Sequence, residues 1–228
     1  MKSKLLLQKF FRGYSVLEKI ESKINGQIEI REDIFGRRSL LVGGISQSGH
    51  SVEKPWEKPL KKLKNSKTPI SNLLILGLGA GSVAKVIHNF FPKAKMTGVE
   101  IDPIMVKLGK KYFELSTVKN LEIRIADATQ TTKNKQHKQS LPLRGRTKGY
   151  DLVLVDLYLG KEVPEKAKTD EFIKDVKESL SPFGIALFNR LYYGQKKKEA
   201  NQFESRLKKI FSQVEPLHVS ASLFFLCQ

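Results

Sequence analysis

Cysteine and long apolar runs are scarce in this sequence, and each scarcity excludes a class of protein. Its 228 residues include one cysteine, which excludes a disulfide framework and a thiolate zinc site. No apolar run approaches the roughly 20 residues that a membrane-spanning helix needs, and residues 5–7 form too short an apolar block for a secretory signal. We therefore expect a cytoplasmic protein without a membrane partner, built as one large domain with a small appendage.

Acidic residues are few beside the basic ones, with 23 Asp and Glu against 41 Lys and Arg and a formal net charge of +18. The basic residues concentrate in three stretches, 54–67, 133–148 and 195–209. Such runs are more typical of solvated faces and loops than of a polyanion-binding patch, and no zinc-finger, RNA-recognition or K-homology motif accompanies them. Nucleic acid is therefore the less favoured partner. His137 has no second ligand at a useful spacing, so no metal site is predicted.

The first third of the chain has short β-like runs separated by turns. Asn25-Gly26 can supply the two positive φ angles of a tight hairpin, and residues 14–44 predict a three-stranded antiparallel meander. Such a meander is too small to fold well alone, so we expect it to dock on the rest of the chain. A short helix is predicted at 54–63 despite Pro55 and Pro59. These features predict a small N-terminal β-domain over 1–66 and a larger domain over 67–228.

From residue 71 onward, apolar runs alternate with amphipathic segments. This alternation predicts an α/β, Rossmann-like domain with a mostly parallel sheet covered by helices on both faces. The polar, basic segment 129–149 interrupts the alternation and is predicted to be a loop. The predicted strands are 73–76, 95–101, 121–125, 150–155, 184–188 and 219–226, and the predicted helices are 82–91, one beginning at 103, 166–180 and 195–211.

The strongest chemical signal is the run Gly77-Leu78-Gly79-Ala80-Gly81-Ser82, which lies between a buried strand and a helix. Glycines at 77, 79 and 81 allow a sharp turn and let a ligand approach the backbone without meeting a Cβ atom. Glu100 follows the first glycine by 23 residues and ends the second strand, where a carboxylate can accept both hydrogen bonds of a ribose diol. The pattern therefore predicts a nucleoside site.

The remaining strand ends favour an adenosyl-sulfonium ligand over a dinucleotide. A dinucleotide fingerprint would have glycine at position 82, where this chain has Ser82. Asp127 ends the third strand, where it could accept from an adenine amino group, and Asp156 ends the fourth strand at the same edge of the sheet. A pocket lined by acids also suits a positively charged sulfur.

Four motifs resemble the spermidine synthase-like branch of the class I adenosylmethionine-dependent methyltransferase superfamily: GLGAGS at 77–82, GVEIDP at 98–103, ADA at 126–128 and YDLVLVDLYLG at 150–160. The resemblance implies a sheet with an antiparallel C-terminal strand, preceded by a small β-domain. It implies S-adenosylmethionine, its decarboxylated form or methylthioadenosine as ligand, and it is compatible with a homodimer. By matched positions, Gln47 would contact the ligand, Glu100 would hold the ribose, Asp127 and Ala128 the adenine, and Asp156 would lie near the aminoalkyl arm.

Three positions depart from the aminopropyltransferases of this family. Ala80 stands where they have Asp in the glycine loop, Trp56-Glu57-Lys58 stands where they have Tyr-His-Glu, and Leu159 replaces the second acid of their Asp-x-x-Asp motif. An ammonium nucleophile must lose a proton before it attacks, and Leu159 cannot accept one.

We therefore predict a transferase that moves the methyl group of S-adenosylmethionine to an unknown small-molecule acceptor. Because in-line placement of the nucleophile and the sulfonium is the main requirement of methyl transfer, no dedicated base residue has to be visible. Asp156 and Tyr158 are the residues expected to line the reaction centre. One alternative is aminopropyl transfer to a polyamine, with Asp156 or a residue of the basic loop replacing the lost acid. The other is a non-catalytic protein that binds a nucleoside or nucleic acid.

Overall fold

The computed structural model describes residues 11–66, 69–130 and 149–228. The strands are β1 Tyr14–Ser22, β2 Gly26–Asp33, β3 Arg38–Val42, β4 Ile45–Gly49, β5 Asn72–Leu76, β6 Lys95–Glu100, β7 Leu121–Ile125, β8 Tyr150–Val155, β9 Leu180–Leu191, β10 Val214–Val219 and β11 Ser222–Cys227. The α-helices are α1 His50–Lys64, α2 Ser82–Phe90, α3 Pro103–Tyr112, α4 Asp170–Glu178 and α5 Lys196–Ile210, with 3-10 turns at Leu115–Thr117 and Glu165–Lys168.

Strands β1 to β4 form an antiparallel meander in sequence order. The predicted three-stranded meander was one strand short, because the chain does not leave the sheet at Gly43-Gly44. Both glycines have positive φ, 55° and 81°, and this turn sends β4 back along β3. The fourth strand brings Gln47 and Ser48 up to the larger sheet.

The second sheet has seven strands in the order β10-β11-β9-β8-β5-β6-β7. Strands β5 to β9 pair in parallel, whereas β11 runs antiparallel to β9 and β10 antiparallel to β11. This confirms the predicted mostly parallel sheet with an antiparallel C-terminal strand. The chain proceeds outward from β5 to β7 and then returns to β8 on the other side of β5. Open α/β sheets bind ligands at this kind of switch point, outside the carboxyl ends of the strands.

Helices cover both faces because side chains alternate along each central strand. Leu73 and Ile75 of β5 face a core that includes α1 and α2, whereas Leu74 and Leu76 face a core that includes α4 and α5. Trp56 of α1 is fully buried in the first of these cores, edge-on to Phe224 with ring centroids 4.9 Å apart. The boundary at residue 66 stays a prediction, and α1, which precedes it, packs with the larger sheet.

Several predicted elements differ from the observed ones in their ends. Helix α1 continues through both prolines and is longer than the predicted 54–63. The predicted helix 166–180 is a 3-10 turn and then α4, because the extended Thr169 accepts a hydrogen bond from the Phe172 N–H and begins a new helix. The predicted final strand is a hairpin that turns at Ser220, where φ is 53°. Most of the segment predicted as a loop, 129–149, lies outside the described residues. Within those residues, no helix is long and apolar enough to cross a membrane.

Asp102 joins the small sheet to the large one. Its side chain is 1% exposed and caps α3 by accepting from the Ile104 N–H at 2.9 Å. It also accepts hydrogen bonds from the Ser22 hydroxyl and from the Asn25 amide at 2.7 Å, both at the β1–β2 turn. Asp102 is therefore a helix cap that also fixes the N-terminal sheet.

We expect Asp102→Ala to lower the free energy of unfolding by about 2 to 4 kcal/mol, because it removes a helix cap and leaves the buried Ser22 hydroxyl and the partly buried Asn25 amide without an acceptor. Urea denaturation measures this loss. Asp170→Ala is the control, since Asp170 is half exposed and forms a surface ion pair with Arg206. Equal unfolding midpoints for the two variants would contradict the role of Asp102.

Candidate functional site

A cavity of about 350 Å³ lies at the carboxyl ends of β5, β6 and β8, beside the N-terminal sheet. It is lined by eight of the nine residues that the sequence predicted for the site: Gln47, Gly77, Gly79, Glu100, Asp127, Ala128, Asp156 and Tyr158. The structure thus brings the three strand-terminal carboxylates around one space, as parallel strands do when they end at a common edge. Gly81, the ninth, does not line it.

All three glycines of the loop have positive φ, but a side chain would meet different surroundings at each position. A Cβ atom on Gly77 would lie 2.2 Å from the main-chain oxygen of Asp156, so glycine is required by the close approach to β8. A Cβ on Gly81 would strike the side chain of Leu115 at 2.3 Å, which makes Gly81 a packing residue. A Cβ on Gly79 would instead clash with nothing and make only ordinary van der Waals contacts, such as one of 3.5 Å with the Ser48 hydroxyl. Gly79 is therefore the glycine whose lack of a side chain leaves room for a ligand.

Glu100 is a buried carboxylate held by main-chain donors. It accepts from the Gly79 N–H at 2.7 Å and from the Asp102 N–H at 2.9 Å, one with each oxygen. Burial raises the pKa of Glu100, and these two hydrogen bonds oppose that rise. Each carboxylate oxygen has a second lone pair, so the group can accept from a ligand hydroxyl without losing its main-chain bonds.

Asp127 is fixed by a turn directly after β7. One of its oxygens accepts from the Thr129 N–H at 2.8 Å and from the Thr129 hydroxyl at 2.7 Å. The Ala126 N–H donates to the main-chain oxygen of Glu100 at 2.9 Å, which keeps the ends of β6 and β7 together. Ala128 is buried and presents only a methyl group to the cavity.

Asp156 directly follows β8 and is hydrogen-bonded to β9. Its carboxylate accepts from the Asn189 amide at 2.9 Å. Burial raises the pKa of Asp156 from 3.8 to about 6, while the Asn189 hydrogen bond and the charge of Arg190 oppose the rise. At neutral pH the group is therefore mostly ionised, and it carries a negative charge in a partly buried position.

Tyr158 lines the cavity with its ring, while its hydroxyl is engaged by β9. The hydroxyl donates to the main-chain oxygen of Asn189 at 3.3 Å and accepts from the Leu191 N–H at 2.9 Å. Burial raises the pKa of Tyr158, so the phenol stays protonated. These hydrogen bonds suit a residue that forms part of the cavity wall. The place of Tyr158 at the reaction centre stays a prediction.

Gln47 closes one side of the cavity. Its side-chain amide donates to the main-chain oxygen of Gly160 at 2.7 Å, linking β4 to the segment after β8. The ligand contact expected of Gln47 stays a prediction.

Two serines of the site were not predicted from the sequence. The buried Ser48 accepts from the Ala80 N–H at 3.1 Å, and the Ser82 hydroxyl accepts from the Gly49 N–H at 2.9 Å. The hydroxyl at position 82, where a dinucleotide fingerprint has glycine, therefore ties the glycine loop to β4. The position of Ser48 next to Gln47 in the sequence was the only signal that could have predicted its place in the site. Asn25 also lines the cavity, but its place there depends on docking of the small sheet.

No group of three or more His, Cys, Asp or Glu side chains within the described ranges could hold a metal ion. His137 lies outside those ranges.

Solved structures share this fold. Spermidine synthase from Thermotoga maritima superimposes with a TM-score of 0.73 at 16% identity, covering 92% of this chain and 71% of that one. Human methyltransferase-like protein 13 in complex with SAH gives a TM-score of 0.57 at 23% identity, covering 78% of this chain and 81% of that one. At these identities the likeness concerns the fold alone.

Sequence relatives are of two kinds. The polyamine aminopropyltransferase of Vibrio vulnificus is 32% identical over 117 residues, which cover 51% of this chain and 36% of that protein. The eEF1A lysine and N-terminal methyltransferase of Homo sapiens is 32% identical over 124 residues, which cover 51% of this chain and 17% of that protein. The chain thus spans about a third or less of the length of these two relatives.

The family model described as "Spermine/spermidine synthase domain" matches residues 60–222. This match runs from the end of α1 into the last hairpin and includes the glycine loop and all three strand-terminal carboxylates. Because it spans well over half of the sequence, the chain belongs to the spermine/spermidine synthase domain family.

Proposed function

We propose that this chain is a cytoplasmic transferase that binds S-adenosylmethionine and transfers its methyl group to a small-molecule acceptor. The observation that carries the proposal is the placement of Glu100, Asp127 and Asp156 around one cavity beside Gly79. The alternative is aminopropyl transfer from decarboxylated S-adenosylmethionine to a polyamine.

The donors and acceptors of the cavity suit an adenosyl group. Glu100 has lone pairs available for the two ribose hydroxyls, and its main-chain bonds hold it in place for them. Asp127 can accept from the adenine amino group, next to the small, buried Ala128. Gly79 allows the ligand to approach the main chain.

Asp156 supplies the negative charge at the far end of the cavity. The bound cosubstrate supplies an electrophilic methyl group on a positively charged sulfur. The ionised Asp156, held by Asn189, attracts the cationic aminoalkyl end, and the ring of Tyr158 limits where an acceptor can approach. In-line placement of the acceptor and the methyl group is the main demand on the protein, and no base residue is required of it.

Leu159 favours methyl transfer over aminopropyl transfer. It lines the cavity at the position where the aminopropyltransferases have their second acid, and a leucine can neither take a proton from an ammonium group nor attract a polyamine. The methyltransferase relatives support methyl transfer within this family, whereas the family description and the Vibrio relative support the alternative. The homodimer stays a prediction. Nucleic-acid binding also stays a prediction, because the basic run 133–148 that could serve it lies outside the described residues.

Calorimetric titration tests the ligand. We expect S-adenosylmethionine to bind, and Glu100→Gln to weaken binding by about tenfold or more, because the ribose loses a charged acceptor. Asp127→Asn is a second variant that keeps the main-chain bonds of Glu100, and it should also weaken binding. Glu122→Gln is the matched control, since Glu122 is exposed on β7 and pairs with Arg124. Binding of NADH in place of adenosyl ligands would contradict the proposal.

Product analysis tests the reaction. Methyl transfer breaks the bond between sulfur and the methyl carbon and leaves S-adenosylhomocysteine, whereas aminopropyl transfer leaves methylthioadenosine. We expect S-adenosylhomocysteine when the protein is incubated with S-adenosylmethionine and a small-molecule extract, and no methylthioadenosine from decarboxylated S-adenosylmethionine with putrescine. Chromatography measures both products. Methylthioadenosine formed in the second reaction would favour the alternative.

The raised pKa of Asp156 also predicts a pH-dependent stability. Because the folded pKa is about 6 and the ordinary value is 3.8, the stability contributed by the protonated form is complete below 3.8 and is lost as pH rises through 6. Relative to wild type, Asp156→Asn should therefore gain up to about 3 kcal/mol in unfolding free energy between about pH 4 and about pH 7.5. Urea denaturation across this range measures the gain. Asp170→Asn is the exposed control, and a constant offset between Asp156→Asn and wild type would contradict the prediction.

A further inference from the structure

A second cavity, of about 270 Å³, lies beside the first one. It is enclosed by the segment after β8, the last residues of β9 and the first turns of α5. Tyr158 and Glu165 line both cavities. Because the two cavities share Tyr158 and Glu165, the second cavity adjoins the expected reaction centre.

The lining of this cavity is strongly basic. It includes five cationic side chains and two carboxylates: Lys161, Lys168, Arg190, Lys196, Arg206, Glu165 and Glu199. Three of the cations have acidic partners. Lys168 pairs with Glu165 at 2.6 Å, Lys196 with Glu199 at 2.9 Å, and Arg206 with Asp170 at 2.9 Å.

Arg190 and Lys161 remain without an ion pair within the described part of the chain. Arg190 is 5% exposed. Its guanidinium donates to the main-chain oxygens of Asn189 at 2.8 Å and Ala167 at 3.4 Å, and its central carbon lies 3.8 Å from the ring centroid of Phe203. Its direct partners are neutral, and the nearby charge of Asp156 only partly offsets the cost of burial, which lowers the pKa of Arg190. A guanidinium has five N–H donors in a planar fork that matches the geometry of an oxyanion.

We propose that this second cavity binds an oxyanion group, a carboxylate or a phosphate, through Arg190 and Lys161. The proposal rests on the transferase function and deepens it, because the oxyanion would belong to the acceptor. An acidic acceptor held there would reach past Tyr158 toward Asp156. A polyamine would instead meet the positive charge of Arg190 with its own ammonium groups.

The experiment measures thermal stabilisation and calorimetric binding of sodium phosphate and sodium succinate against sodium chloride at equal ionic strength. We expect phosphate or succinate to stabilise the wild-type protein more than chloride does. Arg190→Lys keeps the charge but loses the fork, and it should weaken binding about tenfold. Lys161→Met should weaken it also, and this variant avoids the buried position in case Arg190→Lys folds poorly. Lys208→Met is the matched control, because Lys208 is exposed on α5 and pairs with Glu204.

Each outcome bears on the proposal. A preference for phosphate or for succinate supports it and identifies which oxyanion the acceptor carries. Equal effects of all three salts, or unchanged affinity in both Arg190→Lys and Lys161→Met, would overturn it. Titration of S-adenosylmethionine on the same samples separates the two hypotheses. If S-adenosylmethionine binds and the anions do not, the second site alone is wrong, whereas anion binding without S-adenosylmethionine binding would overturn the transferase function.

Discussion

A buried pair of neighbouring carboxylates, Glu100 and Asp102, holds the protein together around its cavity. Glu100 accepts from the main chain of Gly79 and of Asp102, and Asp102 accepts from Ser22, from Asn25 and from the start of α3. Burial, and to a smaller extent the neighbouring Asp102, raise the pKa of Glu100, and the main-chain donors that converge on Glu100 oppose that rise. The glycine loop, the end of β6, helix α3 and the small sheet are therefore positioned by one hydrogen-bond network.

The charge arrangement explains how a protein of net charge +18 can hold an acidic pocket. Net charge is a property of the whole surface, whereas the cavity responds to the few groups that line it. The carboxylates of Glu100, Asp127 and Asp156 line the first cavity, and the cationic groups of Arg190 and Lys161 line the second, with Tyr158 in the lining of both. Asn189 and Arg190 are consecutive on β9 and lie at different cavities. Asn189 donates to Asp156, which lines the first cavity, and Arg190 stacks on Phe203 in the lining of the second. A cationic cosubstrate and an anionic acceptor fit such a division.

The departures from the aminopropyltransferase pattern have structural counterparts. Ala80 is fully buried and packs with Ile28, Ile30 and Met105 where the small sheet meets α3. An aspartate there would place a charge in that apolar cluster. Leu159 is partly exposed at the cavity wall. Leucine in place of an acid at this position therefore changes the cavity lining without affecting the core. Ala80 thus belongs to the packing between the small sheet and α3, whereas Leu159 alters the lining of the cavity.

The parallel sheet, the glycine turn and the three carboxylates at strand ends could be predicted from the sequence, because these features depend on local patterns of apolar residues, glycine and strand-terminal acids. Strand ends shifted by a few residues, as at β9, since burial and pairing extend strands beyond their apolar centres. The sequence could not predict that Asn25, Ser48 and Arg190 border the cavities, or that the hydroxyl of Tyr158 binds β9. Those contacts join residues far apart in the chain, and the free energy of each depends on a partner that no local pattern specifies.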